Sequence, residues 1–109
     1  MELCTCYVTC ASKEEALAIG RAVVDRRLAA CANVVDGVTS IYRWQGTVHT
    51  DPEALLFLKT RRDLVGALVK AVVALHSYDC PAVTVLPIVD GHPDYLEWVI
   101  EQTSPEPAD

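Results

Sequence analysis

The stretch LHSYDCPAV, Leu75 to Val83, holds four side chains of metal-ligating type: His76, Tyr78, Asp79 and Cys80. Imidazole and thiolate suit soft or borderline ions such as copper and zinc, and a carboxylate can complete such a donor set. A closed structural site of this kind takes four ligands. The chain has only three histidines, and the other two, His49 and His92, stand isolated. Ser77 to Pro81 carries turn residues and a proline, so a helix must stop near His76. Side chains in such a turn point in several directions. The stretch therefore reads first as a helix-to-strand turn. In that reading Asp79 bonds the turn backbone and Tyr78 buries its ring.

The elements around this turn follow from periodicity. Leu3 to Cys10 alternates, with Cys4, Cys6, Val8 and Cys10 on one face and Thr5, Tyr7 and Thr9 on the other, the pattern of a strand. Ser12 and Glu15 form a capping box that opens a helix to about Arg27, with Ala16, Ile19, Gly20 and Val23 as its buried stripe. Ala32 to Trp44 is extended and rich in β-branched residues. Asp36-Gly37 interrupts it, either as a hairpin turn or as a bulge within one long strand. Gln45-Gly46 is the next turn, and Thr47 to Lys59 returns as a second long strand in which Pro52 marks an edge or a bulge. Thr60, with Asp63 three residues on, opens a second helix whose stripe is Leu64, Val65, Leu68, Val72 and Leu75. Ala82 to Val89 is a final strand. Pro93 starts a short helix to about Gln102, with Tyr95, Trp98 and Val99 or Leu96 facing inward.

The order is β-α-β-β-α-β plus a terminal helix. This predicts an α+β, ferredoxin-like antiparallel sheet with its helices on one face, an extended central hairpin and a short C-terminal helix. Residues 1–102 form a single domain and 103–109 a frayed acidic tail. The two middle strands, at about 3.3 Å per residue, reach about 40 Å, well beyond a compact domain of this size. The hairpin tip around Tyr42 and Trp44 should therefore project, and these aromatics are expected to pack on another subunit.

Composition narrows the function classes. The net charge is −6 over 109 residues, which argues against nucleic acid, whose phosphates need a basic face. No apolar run reaches the roughly 18 residues of a membrane span. The N-terminus has neither a basic region nor an extended apolar one, so a cytoplasmic protein is expected. The odd count of five cysteines, with no CxxC pair, fits free thiols in a reducing compartment. No nucleophile elbow, Gly-rich phosphate loop or HExxH occurs, so a non-catalytic protein is expected.

Several separated motifs then carry a resemblance. RLAACANVV (Arg27–Val35), VTSIYRWQG (Val38–Gly46), LLFLKT (Leu55–Thr60) and YLEWV (Tyr95–Val99) are similar to the CutA family of divalent-cation tolerance proteins. The resemblance implies a homotrimer in which the long hairpin extends onto the neighbouring subunit, and a bend, not a turn, at Asp36-Gly37. It implies tolerance to copper and other divalent cations, with an ion held by Cys10 at the end of the first strand and His76 after the second long helix. By residue type Asp79 or Cys80 could add a third ligand, or a neighbouring subunit could supply one. Leu75 stands where some members carry the first of two adjacent histidines. Ser77 replaces the proline of the family's His-Pro-Tyr-Glu wording, and Asp79 its glutamate. The alternatives are a trimeric nucleotide sensor resembling the PII proteins, for which no basic triphosphate cluster is present, and a passive scaffold.

Overall fold

The computed structural model describes residues 1–105. Four strands and three helices follow in the order β1 (Leu3–Cys10), α1 (Lys13–Asp25), β2 (Cys31–Trp44), β3 (Thr47–Arg61), α2 (Val65–Leu75), β4 (Val83–Ile88) and α3 (Pro93–Gln102). The strands form one antiparallel sheet in the order β2-β3-β1-β4. This is the expected α+β ferredoxin-like arrangement.

The alternation in β1 divides the sheet's two faces. Cys4, Cys6, Val8 and Cys10 are buried, and Cys6, Val8 and Cys10 pack with Ala54, Leu56 and Leu58 of β3 beneath α1 and α2. α1 contributes Ala16, Ile19, Gly20 and Val23, as its periodicity predicts, and α2 contributes Leu68 and Val72. Gly20 is required for close approach, because a Cβ there would lie 2.9 Å from the Ala32 Cβ. The cysteines of the described residues are all free thiols.

The other face is partly covered. Leu3, opposite Arg61 and Ile88, lies under Val99, Leu96 and Ile100 of α3. Only Val99 of that helix is fully buried; Tyr95 and Trp98, expected to face inward, remain exposed and lean on one another. The start expected for α2 also differs. Thr60 stays in β3, fully buried, and its hydroxyl donates to the Leu28 carbonyl instead of capping a helix. A 3-10 turn over Arg62–Leu64 intervenes, and Asp63 is held by the Arg61 guanidinium. That guanidinium also donates to the Thr103 carbonyl and the Ser104 hydroxyl. The frayed tail expected from Thr103 onward is therefore anchored at its start: Thr103 is buried and its hydroxyl donates to the Val99 carbonyl. Residues 106–109 of that tail lie outside the described residues.

β2 and β3 pair along almost their whole lengths of 14 and 15 residues. Asp36-Gly37 is a bulge inside β2, with the register slipping between Val35 and Val38 and Gly37 at a φ of 75°. Gln45 and Gly46, both at positive φ, make the two-residue turn. β1 stops at Cys10, opposite Ala54, so beyond that point the β2–β3 ribbon continues alone. Pro52 lies on this unsupported length, where β3 has a free edge. The ribbon gives the chain extents of 53 × 28 × 23 Å.

Strand polarity collects one end of the molecule. β1 runs toward that end and α1 starts from it. β3 runs away from it, so α2 returns to it and β4 departs from it. The end of β1, the first turn of α1 and the end of α2 therefore meet at the root of the ribbon.

Candidate metal centre

Cys10 closes β1, Glu15 lies in the first turn of α1, and His76 is the C-cap of α2. One ligand atom from each of the three lies within 4.8 Å of the others. The place is dry: the His76 side chain is 0% exposed and that of Glu15 15%, and Cys10 is fully buried.

Hydrogen bonds fix the chemical state of His76. Nε2 lies 2.7 Å from the Thr9 carbonyl, which can only accept, so Nε2 carries the proton. Nδ1 accepts from the Tyr78 backbone N–H at 3.1 Å, so it presents a lone pair. Both nitrogens are engaged. Glu15 is equally occupied. Its Oε1 accepts from the Ala11 N–H and its Oε2 from the Ser77 N–H, each at 3.0 Å. Its own backbone N–H donates to the Ser12 hydroxyl. Half of the expected capping box is thus present, but the glutamate reaches the amide before Ser12 and ties α1 to the turn after α2.

Burial pushes the Cys10 thiol up to about 12, helped by the charges of Glu15 and Glu53. The thiol is therefore protonated at neutral pH. Burial also works to raise the Glu15 carboxyl, but hydrogen bonds from Ser77 and Ala11, and His76 when charged, hold it below its usual value.

Beside this cluster the turn after α2 forms one wall of a cleft of about 490 Å³. Tyr78, Asp79 and Cys80 line it with Thr9 and Ala82, and Ser40, Tyr42, Trp44 and Glu53 of the ribbon line the opposite wall. The Tyr78 hydroxyl donates to Glu53 at 2.8 Å, and burial followed by this bond raises the phenol above its ordinary range. Its charged lining residues are Glu53 and Asp79, so a triphosphate finds no counter-charge there.

The family profile described as CutA1 divalent ion tolerance protein matches residues 4–102. The chain belongs to the CutA1 divalent ion tolerance family. It is 48% identical over 96 residues to the divalent-cation tolerance protein CutA of Thermus thermophilus, covering 88% of this chain and 93% of that relative. To the mouse protein CutA it is 44% identical over 97 residues, 89% of this chain. It spans only 55% of that mouse relative and 55% of the rice chloroplastic one. Among solved structures, Cut A1 from Thermus thermophilus superposes with a TM-score of 0.91 at 45% identity, covering 94% of this chain and 99% of that one. CutA1 from Oryza sativa gives 0.91 at 41% identity, covering 98% and 97%.

Cys10 and His76, the two ligands that the CutA resemblance pointed to, come together, and Asp79, the further candidate from the turn, does not join them. Asp79 is exposed and lines the cleft, because the turn carries it past the cluster. Glu15 takes the third place, and the sequence reading assigned it to helix capping alone. Cys80 is likewise exposed in the cleft. His49 stacks on Tyr42 with ring centroids 5.3 Å apart, and His92 is the N-cap of α3, its Nδ1 accepting from the Tyr95 N–H.

Proposed function

We propose that this CutA1-type chain is a cytoplasmic, non-catalytic homotrimer that responds to divalent metal ions by binding copper or a similar ion. The observation that carries the reading is the convergence of Cys10 and His76, distant in sequence, in one buried cluster with a carboxylate. Thiolate, imidazole and carboxylate fit copper(II) or zinc(II) by donor type. Around a small ion, ligand atoms at about 2.0–2.3 Å from the metal stand about 3.3–3.8 Å apart. A cluster within 4.8 Å needs only a modest contraction. The ion would be held by Cys10 and His76, sheltered from water, where it is sequestered and not presented to a substrate.

The trimer reading rests on the ribbon. Ile41 is 71% exposed, Val48 55% and Trp44 52% in the isolated chain. A two-stranded ribbon with such a surface is marginal alone, and a neighbouring subunit would cover it. The free thiols support a reducing compartment.

Calorimetry with copper(II), zinc(II) and ATP tests the function. Micromolar metal binding that disappears in a Cys10→Ala, His76→Ala double variant is expected. Saturable ATP binding without metal binding would sink the reading.

A further inference from the structure

Glu15 and His76 stand side by side in the cluster, each held by backbone groups. His76 Nδ1 and Glu15 Oε1 are 3.7 Å apart, and the Cys10 thiol lies within 4.8 Å of the pair. The backbone amides of Ala11, Ser77 and Tyr78 hold the pair in place from outside.

We propose that Glu15 is the third ligand of the ion, and that seating the ion releases the Tyr78 N–H from His76 while Ser77 stays on Glu15, so that occupancy is transmitted through Tyr78 to the cleft. This rests on the metal-binding reading above. The coupling follows from counting lone pairs. A carboxylate oxygen has two, so Glu15 Oε1 keeps the Ala11 N–H while it binds an ion. The Nδ1 nitrogen has one, and the Tyr78 N–H occupies it. An ion on Nδ1 must therefore displace that N–H. Tyr78 is also the residue whose ring packs on His76, centroids 4.7 Å apart, and whose hydroxyl reaches Glu53. Tyr78 is thus tied to the ion site at its backbone and to β3 of the ribbon at its hydroxyl. Releasing the first tie moves a wall of the cleft that Trp44 shares.

The competing view makes Glu15 a helix-start brace and His76 a buried structural histidine, with no ion-dependent change. Zinc(II) separates the two, because it does not quench fluorescence paramagnetically. The chain has two tryptophans, so Trp98→Phe leaves Trp44 as the sole tryptophan emitter. Zinc binding is followed by calorimetry, Trp44 emission by fluorescence, and the Tyr78 amide by hydrogen exchange. Zinc is expected to shift Trp44 emission and to speed Tyr78 amide exchange at least tenfold, both saturating with the calorimetric isotherm. Glu15→Gln is expected to weaken zinc at least tenfold while leaving the far-ultraviolet dichroism unchanged. Should Glu15→Gln fail to fold, the two wild-type readouts decide alone. Tight zinc binding with an unaltered Tyr78 amide and Trp44 emission overturns the coupling. Wild-type affinity in folded Glu15→Gln overturns the ligand assignment. No zinc or copper binding by the unmodified chain overturns the metal reading itself, and this inference with it.

Discussion

Cys10 makes the sharpest quantitative demand on any metal that enters the cluster. Its thiol is pushed up to about 12 by burial and by the Glu15 and Glu53 carboxylates. At pH 7 only about one thiol in 100,000 is then ionised. A metal binds the thiolate, so it must expel this proton against roughly 7 kcal/mol. That displacement weakens the apparent affinity at neutral pH and makes it depend on pH. Two consequences are measurable. Between pH 6 and pH 8 the dissociation constant should fall about tenfold per pH unit, because the whole interval lies below the thiol's midpoint. Calorimetry at pH 7 in buffers of different ionisation enthalpy should report about one proton released per ion bound. Cys10→Ser should flatten the slope and abolish the release. An affinity independent of pH, with no proton released, would refute the claim that Cys10 is a ligand.

Three further outcomes follow from the same geometry. His76→Ala should cost about 2–4 kcal/mol in a urea titration, since it strands the Thr9 carbonyl and the Tyr78 N–H and leaves a buried void. Glu15 is held below its usual value in the folded chain, so its stabilising contribution is complete above the unfolded carboxyl's midpoint and is lost as pH falls through the folded one. Glu15→Gln should therefore reduce the acid slope of stability at pH 2–5 and leave the slope at neutral pH unchanged, as read by denaturant midpoints along a pH series. Light scattering should return three times the 11.9 kDa chain mass, and Trp44→Ala with Ile41→Asp should return smaller species; an unchanged mass would remove the ribbon from the subunit contact.

Element order was legible because each element has a period and a stop signal that act locally. Cys4, Cys6, Val8 and Cys10 alternate in β1, Ser12 caps α1, and Gln45-Gly46 turns the ribbon. Asp36-Gly37 was not legible from residue pattern alone, because a glycine at positive φ serves a hairpin turn and a bulge equally well; the bend came from the CutA resemblance, and the structure has it. The choice is made by partners far along the chain, with Leu55 facing Val35 and Glu53 facing Val38. Thr60 misled for a related reason. Its type suits a helix start, but its hydroxyl found the Leu28 carbonyl inside the sheet, and the strand ran on to Arg61.

The cluster obeys different rules. Sequence proximity suggested Asp79 as a partner of His76, but neighbours in a turn diverge, and Asp79 ends in the cleft. Glu15 was passed over because capping already accounted for its residue type. The signal that finds it is topological. In β-α-β-β-α-β order, the end of the first strand, the start of the first helix and the end of the second helix share one end of the sheet. A thiol, a carboxylate and an imidazole placed at those three junctions must converge, whatever their separation in sequence. The same topology sets the ribbon's root beside them, since β3 passes Cys10 at Ala54 and reaches Glu53 one residue earlier. Glu53 then raises the Cys10 thiol and accepts from Tyr78. Glu53 thus joins burial and Glu15 in opposing ionisation of Cys10, and the same carboxylate anchors the cleft wall.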